Sequence, residues 1–181
     1  MAISAAAYTL TVVLCICSLQ LLVAGAGPET LKLTFYAHET RGGPNATLLP
    51  AAGTGQGNFS ALGWGSFMVF DNRLKEGAAA DSKLLGRITG SGALTTIGGL
   101  PTGGVQVTSK FWFGEGSKYP GSSFTLVGTL SYGPAPWELI VIGGTGYFRG
   151  FSGYGLSAPE NSTTVPPLFV YKWNFHLTKH F

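Results

Sequence analysis

Residues 168–177 alternate without a break: Phe169, Tyr171, Trp173, Phe175 and Leu177 fall on one side, Leu168, Val170, Lys172, Asn174 and His176 on the other. Successive side chains of an extended strand point to opposite faces, whereas a helix repeats about every 3.6 residues. The stretch therefore reads as a strand with one aromatic face and one mixed face. Residues 33–39 repeat the pattern, with Leu33, Phe35, Ala37 and Glu39 against Thr34, Tyr36 and His38. Runs rich in β-branched and aromatic residues predict further strands over 64–70, 84–96, 104–113, 123–132, 138–142 and 147–156. The 28 glycines and 10 prolines are spread through the chain, which places turns between these runs. No stretch beyond the N-terminal leader shows a sustained helical period with caps. The chain is thus predicted to be all-β, with about eight antiparallel strands. A closed barrel with an apolar lumen for one small ligand and a two-sheet sandwich both satisfy the pattern.

Residues 1–26 read as a secretory signal peptide. An apolar run from Ala5 ends in Ala24-Gly25-Ala26, the small-x-small pattern a signal peptidase accepts. The single domain then covers 27–181, with no membrane span once the leader is cleaved. Both cysteines, Cys15 and Cys17, lie inside the leader. The domain so defined has no disulfide, no thiolate nucleophile and no cysteine metal site. Three N-x-S/T sequons, at Asn45, Asn58 and Asn161, suit a secreted glycoprotein. Net charge is +3 with 10% charged residues, and Lys and Arg are scattered singly, so no nucleic-acid footprint is present.

Five blocks in order resemble the plant dirigent protein family. Residues 33–39, LTFYAHE, followed by 43–47, GPNAT, resemble its opening L-x-F-Y-x-H-D…G-x-N-x-T. Residues 71–77, DNRLKEG, resemble D-x-x-L-T-E-G, and 82–90, SKLLGRITG, resemble S-x-x-V-G-R-A-Q-G. Residues 121–124, GSSF, stand where the family has G-S-T-L, and 138–149, ELIVIGGTGYFR, resemble E-x-x-V-V-G-G-T-G-x-F-R. The resemblance implies an eight-stranded antiparallel β-barrel, related to allene oxide cyclase, in the cell wall space (apoplast) of land plants. It implies a homo-oligomer, trimer or dimer, that binds monolignol-type phenoxy radicals or quinone methides and directs their coupling. A separate oxidase, laccase or peroxidase, supplies the radicals, and no cofactor is called for. A cyclase or dehydratase on the same barrel, acting on a non-radical phenolic intermediate, is the enzymatic alternative. A non-catalytic wall or defence protein is the third reading. Four departures mark a divergent member: Glu39 for the family's Asp, Glu138 where lignan-forming members have Asp and other members Glu, Phe151-Ser152-Gly153 for A-R-G, and none of the cysteine pair of many lignan-forming members.

Two carboxylates continue apolar stripes, Glu39 after Leu33, Phe35 and Ala37, and Glu138 before Ile140 and Ile142. Inside an apolar barrel the charged form of such a group is disfavoured. Both are therefore expected either to be acids able to protonate a quinone-methide oxygen or to sit at strand ends, partly wet or paired with Lys or Arg. Arg149 is expected to orient a phenol oxygen or pair with a carboxylate. Asp71 is placed in a turn after the 67–70 run, at the binding site or capping that turn. Tyr36, Phe113 and Phe175 are expected to pack on a phenylpropanoid ring, with Phe124, Tyr154 and Trp173 as further lining candidates. Arg87 reads as a buried or inter-subunit ion-pair residue, and His38 as a packing or exterior residue. His176 and His180 lack the companions of a metal site. The Gly143–Gly146 run enters a strand rather than a helix, so it reads as a tight turn and not a phosphate cradle.

Overall fold

The computed structural model describes residues 27–58, 61–98, 103–131, 133–160 and 167–180. The leader assigned to 1–26 and the sequon at Asn161 lie outside them. Nine strands follow one another: β1 (Thr30–Thr40), β2 (Leu48–Ala52), β3 (Phe67–Lys75), β4 (Leu84–Leu94), β5 (Gly104–Phe113), β6 (Ser123–Ser131), β7 (Trp137–Thr145), β8 (Phe151–Pro159) and β9 (Leu168–Lys179). One 3-10 turn, Gly146–Phe148, joins β7 to β8, and there is no α-helix among the described residues.

Hydrogen-bonded neighbours run β1-β9-β8-β7-β6-β5-β4-β3, all antiparallel. The ring closes where β3 returns to β1, pairing Tyr36 with Lys75, Ala37 with Leu74 and His38 with Arg73. Eight strands thus form a closed barrel, which removes the sheet edges and decides against the sandwich. β2 lies outside that count, along the first half of β3, with Leu48 opposite Phe70 and Pro50 opposite Met68. The eight strands expected from the sequence are those of the ring. β2 escaped notice because LLPAA is short, lacks alternation and carries a proline.

Residues 71–75 do not turn. β3 continues through them with Asn72 and Leu74 buried inward and Asp71 and Arg73 outward. Polar residues on the solvent side of a half-buried strand mimic a turn in the sequence. The glycine run behaves in part as expected. Gly146 (φ 60°) sits in the turn, where an added Cβ would lie 2.5 Å from Ser122 Oγ. Gly143 (φ 153°) instead remains in β7, beside a bulge at Ile142 where two β7 steps face the single step from Thr125 to Leu126.

Inward side chains fill one end of the barrel with rings. Phe111, Phe113, Phe124, Phe148 and Phe175 are fully buried, with Phe111 stacked on Phe124 at 5.2 Å and Phe124 edge-on to Phe175 at 4.9 Å. Gly90 on β4 makes room at the other end, since a Cβ there would come within 2.6 Å of the Phe70 ring. Outside the wall, the segment between β3 and β4 lies against β1. His38 Nε2 lies 3.0 Å from the Gly77 carbonyl, and the buried Lys75 ammonium donates to the Ala80 carbonyl.

Candidate functional site

Beyond the packed rings the barrel is hollow. A cavity of about 260 Å³ lies among the end of β1, the start of β7, the end of β8 and the start of β9, with β3 to β6 completing the wall. Its surface is mostly apolar, supplied by Met68, Phe70, Ile88, Val107, Leu130 and Trp173.

Polar groups gather at its lip. The Glu39 carboxylate accepts from Arg41 Nε at 2.6 Å and from Asn72 Nδ2 at 3.1 Å. Arg41 Nη2 donates to the Tyr171 hydroxyl at 2.6 Å, and its guanidinium lies 4.2 Å over the Phe169 ring. Asn72 is held in turn by the Thr47 hydroxyl, 2.7 Å from its side-chain oxygen. Thr47 also receives the Thr40 backbone N–H at 2.8 Å. A carboxylate taken out of water needs such a cation and such donors, because an unpaired buried charge is costly. Glu39 is therefore one half of an ion pair, the paired arrangement of the two expected for it and not the lone acid.

The remaining expectations divide sharply. Glu138 does not reach the lumen. It points outward from β7 and is exposed, as are Ile140 (56%) and Ile142 (58%), while Leu139 and Val141 are the inward residues. Arg149 is exposed after the 3-10 turn, at the end away from the cavity. Asp71 lies on the outer wall, where Arg87 Nε donates to its Oδ1 at 2.7 Å and Arg87 Nη2 to its Oδ2. That pair is exposed in the single chain, not buried within the barrel. Tyr36 and Tyr154 face outward, the latter stacked on His176 at 5.0 Å. Phe113, Phe124 and Phe175 are inside but belong to the packed rings, so of the six aromatics only Trp173 lines the cavity. Asn45 and Asn58 are exposed.

Arg41, Asn72, Tyr171, Trp137, Ser109 and Ser157 escaped the sequence reading. Arg41 follows Glu39 by two residues and so shares its face, but Arg41-Gly42-Gly43-Pro44 reads as a turn that ends the strand. Asn72 shares a face with Met68 and Phe70, a signal lost when the strand is cut at residue 70. His38, next to Glu39 but on the opposite face, is buried. Loss of hydration lowers its imidazole below the ordinary 6.5, and nearby Lys75 and Arg73 add to that against the Gly77 hydrogen bond. Among the described residues no three His, Cys, Asp or Glu side chains come together.

A closed antiparallel barrel with an apolar cavity and a charged lip is a small-ligand-binding barrel. Comparison with known proteins narrows that class: the Dirigent-like protein family profile matches residues 30–178. Dirigent protein 11 of Arabidopsis thaliana is 35% identical over 148 residues, covering 81% of this chain and 75% of the relative. Pterocarpan synthase 1 of Glycyrrhiza echinata is 31% identical over 124 residues, covering 67% of this chain and 63% of the relative. Among solved structures, the pterocarpan synthase dirigent protein PsPTS1 superposes with a TM-score of 0.72 at 22% identity, over 84% of this chain and 97% of that one. The chain belongs to the dirigent family.

Proposed function

We propose that this is a secreted dirigent protein of the plant cell wall that holds a phenolic radical or quinone methide in the barrel cavity and directs the bond it forms. The observation that carries the reading is the hollow end of the barrel with Glu39 and Arg41 at its lip. Apolar walls take an aromatic ring, and the charged pair takes a phenol oxygen. A volume of about 260 Å³ sits just below the roughly 300–1,000 Å³ usual for ligand pockets, so one phenylpropanoid unit fits and a second reactant meets it at the mouth. Two phenoxy radicals, each already made by a separate laccase or peroxidase, join by forming one C–C bond with no further electron exchange. The protein contributes orientation, not oxidation. Copies of the chain would associate through outer apolar residues such as Ile140 and Ile142, leaving the mouth open. Asn45 and Asn58, both exposed, would carry glycans.

The carboxylate at the lip favours a second reading, ring closure within one bound quinone methide. The Glu39 carboxylate takes the attacking hydroxyl's proton as the C–O bond forms and passes it to the quinone-methide oxygen, which becomes a phenol, so the step balances without any oxidant. Relatives named pterocarpan synthase support this variant.

Coupling of coniferyl alcohol by laccase, with chiral chromatography of the dimers, tests the first reading. Wild type should give enantiomeric excess, and Glu39→Gln should lose it at a temperature where circular dichroism shows the variant still folded. Racemic dimers from wild type, with turnover of an isolated quinone methide, would transfer the case to ring closure. A Gln variant that steers as well as wild type removes Glu39 from both.

A further inference from the structure

Two serines in the cavity wall have no task within the folded chain. Ser109 on β5 is 4% exposed and Ser157 on β8 is 2% exposed, and both line the cavity. Neither hydroxyl has a hydrogen-bond partner among the described residues, and neither is sealed from open space, so both face the hollow. A hydroxyl that finds no partner in the protein adds nothing to the fold that alanine would not supply, so its place on an apolar wall calls for a partner within the cavity. Ser109 stands between Val107, which lines the cavity, and Phe111, which belongs to the packed rings, so it marks the cavity floor. Ser157 is paired across the strands with Trp137 on one side and Trp173 on the other, a small side chain between two indoles. β6 and β7 separate the two strands on the short way round the barrel, which sets the serines on different walls.

We infer that Ser109 and Ser157, from different walls, offer two polar contacts at the inner end of the cavity, at least one of which hydrogen-bonds an oxygen on the buried end of the ligand. The inference rests on the cavity being the phenolic site proposed above and adds the ligand's shape. The ligand carries oxygen at both ends, one group held by Glu39 and Arg41 at the lip and an alcohol or phenol oxygen held by one or both serines. The wall between is apolar, so a phenol without the inner oxygen leaves both hydroxyls dry. Sites built to bond an oxygen reject the analogue that lacks it.

Two probes separate the cases: coniferyl alcohol, and isoeugenol, which keeps the ring, phenol and methoxyl but lacks the side-chain hydroxyl. Dissociation constants would be measured by calorimetry for wild type, Ser109→Ala, Ser157→Ala and the double variant. Wild type should prefer coniferyl alcohol by about tenfold, and the double variant should lose that preference with isoeugenol affinity unchanged. The thermal midpoints of the alanine variants should stay level or rise. A preference that survives in the double variant overturns the inference. So does a fall in midpoint with both probes weakened together, which would make the serines structural. Equal binding of both probes by wild type sinks this inference alone. Binding of neither probe sinks the phenolic reading as well.

Discussion

Below Ser109 the barrel interior is a stack of phenylalanines, whereas above it the same strands enclose empty space edged by Glu39, Arg41 and Asn72. Phe111 and Ser109 are neighbours on one face of β5, and Phe175 and Tyr171 stand on one face of β9. Within one strand, then, the inward residues change from space-filling rings to small or polar groups. A closed barrel gives its stability and its binding site to different levels of a single wall. The packed level removes large apolar area from water, which is the main stabilising term. The hollow level forgoes that gain and keeps polar groups whose pairing orders the lip.

The sharpest way to break this contrast is to truncate on both sides of it. Phe111→Ala or Phe175→Ala, at fully buried rings, should cost about 3–5 kcal/mol in denaturant unfolding. Leu130→Ala, facing space already empty, should cost roughly half as much or less. Equal costs would mean the two levels are packed alike.

A smaller effect separates them by pH. His38 lies against the outer wall at the lip, and burial lowers its imidazole below the unfolded value of 6.5. As pH falls, the unfolded chain takes up this proton first. Stability should therefore drop below about pH 6.5 and level off once the folded imidazole is protonated. Thermal midpoints of wild type against His38→Gln across that window check it, and a wild-type slope no steeper than the variant's rejects it. The ring stack, with no titrating carboxylate or imidazole, adds nothing to the slope.

The smallest effect belongs to the outer wall. Arg87→Ala breaks an exposed pair with Asp71 and should cost less than about 1 kcal/mol, less still in high salt. Phenol affinity should not move. If it does, the outer wall takes part in binding and the contrast is incomplete.

The fold was legible because period two survives in the strands of the ring, most clearly in residues 168–177, whose aromatic stripe supplies Tyr171 and Trp173 to the cavity and Phe175 to the ring stack. The candidate site was legible only at Glu39 and Trp173. Arg41 and Asn72 were hidden where polar residues imitate turns. Ser109 and Ser157 were hidden because a lone serine in an apolar strand carries no pattern of its own.

Alternation along each segment decided which residues share a face, and the ordered blocks decided the family. What alternation leaves open is which face turns inward. In β7 both faces are apolar, so Leu139 and Val141 compete on equal terms with Ile140 and Ile142. Only closure of β3 onto β1, with the cross-strand pairing it imposes around the ring, put the first pair inside and carried Glu138 to the exterior with the second. The same closure decided where rings meet and where they leave a hollow, because that depends on contacts between strands far apart in sequence.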